Sequence, residues 1–226
     1  MREVVLDTET TGLSPKNGDR LVEIGCVELE NHVATGEVFH CYINPERDMP
    51  AEAEAVHGLT AEFLADKPVF SEVASSFLEF VGSSPLVIHN SAFDLGFLNS
   101  ELEALGKCNI PNSQAIDTVS LARSKYPGAP ASLDALCRRF SIDNSRRSKH
   151  GALLDAELLA EVYLELRGGK QPGLGLTERK AIKSNPEIEL HSAKRPPRAH
   201  SPTKEELIAH SALVKKLQNP LWNRQG

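Results

Sequence analysis

The sequence predicts an α/β protein, with a mixed central sheet flanked by helices and a flexible basic tail behind it. Three observations lead there. Strand-like runs come first, followed by segments that alternate between strand and helix periodicity. Hydrophobic residues make up 40% of the 226, enough for a packed core. No apolar run is long enough to span a membrane, and none looks like a signal peptide. Third, charge is split along the chain. Residues 1–166 hold 13 Lys+Arg against 26 Asp+Glu, a net of −13, whereas residues 167–226 hold 12 against 5, a net of +7. An acidic body therefore carries a basic tail, and the two have different work to do.

The elements follow in order. EVVLD (3–7) is a buried strand. Pro15, Asn17 and Gly18 mark the first loop. RLVEIGCVEL (20–29) and GEVFHCYIN (36–44) are the next two strands, joined by a tight polar turn at Asn31 and His32. SEVASSFLEFVG (71–82) is a helix capped at Ser71 and stopped at Gly82. LVIH (86–89) is a short apolar strand. SAFDLGFLNSELEALG (91–106) has helical spacing through Phe93, Phe97, Leu98, Leu102 and Leu105. ASLDALCRRF (131–140) and GALLDAELLAEVYLEL (151–166) are two more helices, the second ended by Gly168 and Gly169.

The body is expected to span 1–169. From Lys170 to Ser201 the chain is rich in Pro, Lys and Ser and lacks apolar periodicity, which reads as a linker. Residues 202–226 form a last segment with a short helix. There Thr203 and Glu206 fit a capping box, Ile208, Ala212, Leu213, Val214 and Leu217 make an apolar stripe, and Pro220 ends it. Cys26, Cys41, Cys108 and Cys137 are scattered with no CxxC pair, so they are expected to be free thiols in a reducing cytoplasm.

Four acids stand where a core pattern should exclude them. Asp7 and Glu9 end the first strand on one face, since side chains at i and i+2 of an extended segment point the same way. Asp94 lies in line with Leu98, Leu102 and Leu105, and Asp155 with Leu158, Leu159 and Val162, so each tops the apolar stripe of its helix. An unpaired buried carboxylate costs several kcal/mol or is forced neutral. The economical arrangement brings all four to one edge of the sheet around Mg²⁺ or Mn²⁺, which prefer hard oxygen ligands. His150, five residues before Asp155, sits on the loop before that helix, where a base could reach a water. Taken singly, each residue has an ordinary alternative: acids flank strands, first-turn acids complement helix dipoles, and loop histidines are common.

VVLDTETTGL (4–13), VIHNSAFDLGFL (87–98) and HGALLDAELLAEVYLEL (150–166) resemble, in order and spacing, the three motifs of the DEDDh exonuclease family. The likeness extends over roughly Arg2 to Gly169 and is greatest to the proofreading branch of that family, which works beside bacterial replicative polymerases. The resemblance implies a ribonuclease H-like exonuclease fold. It also implies a metal-dependent 3′-to-5′ DNA exonuclease that removes mispaired nucleotides from primer ends. Asp7, Glu9, Asp94 and Asp155 would hold two divalent ions, Mg²⁺ or Mn²⁺, about 3.5–4 Å apart. Asp7 would bridge them, and His150 would take the proton of the attacking water. Thr10, Thr11, Leu13, Glu52, His57, His89 and Asn90 would line the pocket of the terminal nucleotide.

The implied partners are a DNA 3′ end, the catalytic (alpha) subunit of the polymerase and its sliding clamp (beta), with room for a small third core subunit. Gln171, Leu174 and Leu176 in QPGLGL resemble a clamp-binding peptide, though without its usual Phe ending. Leu207, Leu213, Leu217 and Trp222 would anchor the polymerase subunit. The body's negative charge fits a nuclease to which DNA is delivered, because free nucleic-acid binders carry a basic footprint. The body's basic residues gather at Arg138, Arg139, Arg146, Arg147 and Lys149. Two other readings compete: a stand-alone enzyme trimming RNA or oligonucleotide ends, and a non-catalytic scaffold whose acids bind metal structurally.

Overall fold

The computed structural model describes residues 1–145, 147, 149–169 and 201–217. Arg146, the linker 170–200 with Gln171, Leu174 and Leu176, and Trp222 lie outside the described residues.

The first unit is built on a five-stranded mixed sheet. Its strands are β1 (Arg2–Thr10), β2 (Leu21–Glu30), β3 (Val33–Tyr42), β4 (Leu86–Ile88) and β5 (Ala115–Asp117), in the order β3-β2-β1-β4-β5. The first three form an antiparallel meander, and β4 and β5 run parallel to β1. Asn31 and His32 turn the β2–β3 hairpin with φ of 52° and 69°, the left-handed pair that a two-residue hairpin turn needs. Histidine is unusual there. Its ring packs edge-on against Tyr163, and its Nδ1 lies 2.6 Å from the buried Glu3 carboxylate, contacts that offset the strain.

Helices cover both faces: α1 (Ala51–His57), α2 (Ala61–Ala65), α3 (Phe70–Val81), α4 (Ser91–Ala104), α5 (Thr118–Lys125), α6 (Leu133–Phe140) and α7 (Ala152–Leu166). Strand alternation divides the core in two. Val4 and Leu6 of β1 join Ile24 and Cys26 in packing against Phe70, Ala74 and Phe77 of α3 and Leu98 and Leu102 of α4. Val5 and Val27 face the other way, onto Leu136 of α6 and Leu159, Val162 and Tyr163 of α7. The central strand thus reaches both layers with alternate side chains.

Several boundaries differ from expectation. β1 runs on to Thr10, so Asp7 and Glu9 are still paired in the ladder, opposite Gly25 and Glu23. β3 starts and stops earlier than expected, at Val33 and Tyr42. Ser71 is not the cap of α3: the helix begins at Phe70, and the Glu72 carboxylate accepts from the N–H of Val69, the capping position, at 3.3 Å. Leu105 falls beyond the end of α4 and is 38% exposed, so it does not belong to that helix's buried stripe. α6 begins at Leu133 and is capped by Ser132, whose hydroxyl accepts from Ala135 N–H. Unanticipated are α1, whose AEAEAVH has no apolar stripe, the five-residue α2, and the short β5–α5 unit. Gly169 closes α7 as expected, its N–H donating to the Leu164 carbonyl at 2.9 Å.

The described part of the second unit holds α8 (Lys204–Val214). The Thr203 hydroxyl accepts from Glu206 N–H, and the Glu206 carboxylate from Thr203 N–H at 2.7 Å, which is the capping box read from sequence. Leu207, Ile208, Leu213 and Leu217 are 46–70% exposed. Among the described residues, no helix is long and apolar enough to cross a membrane.

Candidate active site

The parallel strands β1, β4 and β5 end side by side, the position at which open α/β sheets bind ligands. Asp7 and Glu9 close β1, His89 and Asn90 follow β4, and Thr118 follows β5. The acids therefore meet at the carboxyl end of the middle strand, not at a lateral edge of the sheet. Odd positions of β1 face the α7 layer, and even positions face the α4 layer. Asp155 enters from the first turn of α7 and Asp94 from the first turn of α4.

Two local features make that convergence possible. Asp7 pairs across the ladder with Gly25, and α7 is seated directly on that glycine. A Cβ there would lie 2.3 Å from the Ala152 carbonyl carbon and the Leu153 nitrogen. Only a residue without a side chain lets the first turn of α7 come this close. On the opposite face, Thr8 donates its hydroxyl to Asp94 Oδ1 at 2.8 Å, tying the start of α4 to β1.

The acids perturb one another. Burial and the charges of Asp94, Glu9 and Asp155 raise the Asp7 carboxyl well above its ordinary range. Glu9 is pushed up to about 8, by burial first and then by Asp155, Glu23 and Asp94. Burial takes Asp94 to about 7 even though it accepts from Thr8. Carboxyls pushed toward the neutral form by burial and by neighbouring charge are those a bound cation would ionise. One ligand atom each of Glu9, His150 and Asp155 lie within 4.8 Å of one another. Hard oxygen donors with one imidazole fit a small divalent ion. The cluster also draws in a cation of its own, the guanidinium of Arg147.

Arg147 is bidentate to Asp155, Nε to Oδ1 at 2.5 Å and Nη2 to Oδ2 at 2.7 Å, and its Nη1 donates to Asp134 at 2.8 Å. Its pKa is raised further by Asp155. The basic cluster is accordingly not a single patch. Arg147 turns inward, Arg138 bonds the Asp134 carbonyl, and Arg139 stacks over Tyr126 at 4.5 Å. His150 sits just before α7 as expected. Its backbone N–H is fixed by the Val56 carbonyl at 3.2 Å, and its side chain is 48% exposed.

The expected nucleotide residues divide between two hollows. Thr10, Thr11, Leu13, Glu52 and His57 line a cleft of about 490 Å³, together with Glu9. His89 lies instead in a hollow of about 250 Å³ with Asp7, His150 and Asp155, so it does not share the first cleft. Asn90 lines neither. It caps α4 in the left-handed conformation (φ 72°), with its N–H held by Asp117 Oδ1 at 3.1 Å. His57 is buried, and its Nδ1 accepts from Leu59 N–H at 3.0 Å. That leaves the proton on Nε2, which is buried with no hydrogen-bond partner among the described residues. Burial lowers its pKa and keeps it neutral, against the pull of the Thr10 carbonyl. Leu13 is 86% exposed at the rim.

Sequence reasoning missed Thr8, Gly25, Asp134 and the inward role of Arg147. A glycine inside a strand is a readable sign of close approach. Thr8 shares its strand with two singled-out acids, but nothing marks its partner in advance.

Comparison with known proteins agrees with this geometry. An exonuclease family model (RNase_T) matches residues 4–163. The DNA polymerase III subunit epsilon of Rickettsia typhi is 49% identical over 222 residues, covering 96% of this chain and 97% of the relative. That of Escherichia coli is 42% identical over 228 residues, covering 96% and 93%. Among solved structures, the nuclease domain of 3′hExo, a DEDDh family member bound to rAMP, superposes with a TM-score of 0.63 at 18% identity, covering 76% of this chain and 94% of that one. This last likeness concerns the fold.

Proposed function

The chain belongs to the exonuclease family and, within it, to the DNA polymerase III epsilon subunits, and from that membership we propose a reaction, a site and a set of partners. It is a metal-dependent 3′-to-5′ DNA exonuclease that removes mispaired nucleotides from primer ends within the replicase. The observation that carries this reading is the convergence of four acids from one strand and two helices, three of which, Asp7, Glu9 and Asp94, are pushed upward in pKa, first by burial.

Two divalent ions, Mg²⁺ or Mn²⁺, would be held by Asp7, Glu9, Asp94 and Asp155, and when bound would supply an acidified water and stabilise charge on the leaving oxygen. Thr8 keeps Asp94 aimed at the site from one layer, and Gly25 lets α7 bring Asp155 from the other. His150 takes the proton of the attacking water, from a loop position half open to solvent. His57 Nε2–H is a buried donor without a partner among the described residues, and an oxygen of the terminal nucleotide in the 490 Å³ cleft would satisfy it. Leu13 offers an exposed apolar face for a base to stack upon, with Thr10, Thr11 and Glu52 along the same wall. His89 acts in the acid hollow, where its Nδ1 lies 2.9 Å from Thr118 Oγ1.

The partners follow from charge and from the tail. A body with net −13 holds duplex poorly on its own, so the frayed 3′ end is delivered by the polymerase. Residues 1–169 would be the nuclease and 202–226 the polymerase-binding segment, where exposed Leu207, Leu213 and Leu217 are apolar anchors for the catalytic subunit. Gln171, Leu174 and Leu176 would engage the sliding clamp, and a small third subunit would join the core in the cytoplasm.

The test is Asp7→Ala in the full chain with Mg²⁺. Mispaired-primer degradation should fall by at least ~10³-fold while polymerase binding persists. Wild-type protein that binds polymerase but shortens no DNA end would leave the scaffold reading standing.

A further inference from the structure

The acid cluster contains a positive charge that the proposed reaction does not use. The Arg147 side chain is 9% exposed. Two of its nitrogens engage both oxygens of Asp155, at 2.5 and 2.7 Å. Its Nη2 also donates to His150 Nδ1 at 2.8 Å. A guanidinium only donates and does not lose its proton, so the His150 nitrogen facing it must accept, and that lone pair is taken. One side chain therefore occupies an acid expected to bind metal and the base expected to receive a proton. The third nitrogen, Nη1, rests 2.8 Å from Asp134, whose carboxylate is 50% exposed and is itself fixed by Asn144 Nδ2 at 3.1 Å. Asp134 is an outer anchor on which the guanidinium can stay when it leaves Asp155.

We propose that Arg147 is a built-in counter-ion that holds Asp155 and His150 in the metal-free chain and yields Asp155 to an arriving divalent ion while remaining anchored on Asp134. This inference rests on the metal-centre reading above. Arg147 is in these terms a positioning residue. It keeps the crowded carboxylates together before metal arrives, and it competes with metal for one of them. A residue that merely shaped the site would have the opposite signature, because its loss would weaken metal binding.

The experiment uses the full chain as wild type, Arg147→Met and Asp134→Asn. Mn²⁺ binding is measured by titration calorimetry, and thermal unfolding is followed in chelator and in saturating Mn²⁺. Arg147→Met should bind Mn²⁺ roughly tenfold tighter, the size expected when a competing charge-assisted hydrogen-bond pair is removed. It should also unfold at a lower temperature in chelator, with the deficit narrowing in Mn²⁺. Unchanged or weaker Mn²⁺ binding by Arg147→Met overturns the proposal. Should that variant fail to fold without metal, Asp134→Asn decides in its place: weaker Mn²⁺ binding, because the guanidinium has lost the anchor it retreats to, supports the counter-ion, and unchanged or tighter binding overturns it. Wild-type protein that binds no Mn²⁺ removes the metal-centre reading and this inference together, whereas wild-type binding with an unchanged or opposite response in the deciding variant removes this inference alone.

Discussion

Gly25→Ala adds one methyl group and should disable the site from behind. Gly25 does not adopt a positive φ, so alanine suits its backbone, and any effect comes from space alone. The new Cβ would fall 2.3 Å from the Ala152 carbonyl carbon and the Leu153 nitrogen, and ordinary contact begins at 3.4 Å. The first turn of α7 must therefore retreat by about 1.1 Å, the difference between those two distances. Backbone atoms give way less readily than the end of a side chain, so the displacement reaches Asp155, three residues on. Overpacking of this kind costs about 1–3 kcal/mol. A displacement of about 1 Å in a reacting group costs on the order of 10² in rate. The assay is kcat/KM for removal of a mispaired 3′ nucleotide with Mg²⁺, alongside thermal unfolding. We expect about a 100-fold loss of activity and a Tm lower by several degrees, roughly 2–4 °C per kcal/mol for a domain of this size. Activity within about threefold of wild type and an unchanged Tm would show that α7 is not seated on β2 as described.

Three further predictions concern the two faces of the site and the tail. Thr8→Val removes the hydroxyl that holds Asp94, and kcat should fall about tenfold or more, since a hydrogen bond to a charged group is worth about 1.5–3 kcal/mol; an unchanged rate would mean that Asp94 is oriented by something else. In chelator, stability should fall as pH rises from about 4 to 8. Glu9 goes from an ordinary 4.5 to about 8 and Asp94 from 3.8 to about 7, so the folded chain keeps protons that the unfolded chain has already lost. Thermal unfolding across that window should show the decline, Glu9→Gln should flatten it, and stability rising with pH throughout would contradict the assignment. Deleting residues 170–226 should leave hydrolysis of short single strands intact while abolishing co-purification with the polymerase, and loss of hydrolysis would contradict the division at Gly169.

Much of the fold was legible because its signals are local. The runs of β1, β2 and β3 carry their own periodicity, and Thr203 with Glu206 announces the start of α8. The elements that escaped are those whose stability is tertiary. Each of the three residues of β5 is only half-buried, and α1 has no apolar stripe of its own. At the site, the acids stood out because each interrupts an apolar pattern. Arg147 did not, because an arginine among other basic residues looks solvated until Asp134 and Asp155 are seen on either side of it. The separation of His89 from the cleft of His57 was equally out of reach, since it depends on how far apart β4 and α1 lie in space.

The acids arrive by way of two cores on opposite faces of one sheet: Asp94 on a helix packed in one, Asp155 on a helix packed in the other. With the metal site proposed above, a nascent or damaged molecule that has assembled a single layer would lack one of its acids and be inert toward DNA. Competence to cut would then appear only when both layers are complete, a safeguard for an enzyme whose task places it beside newly made strands.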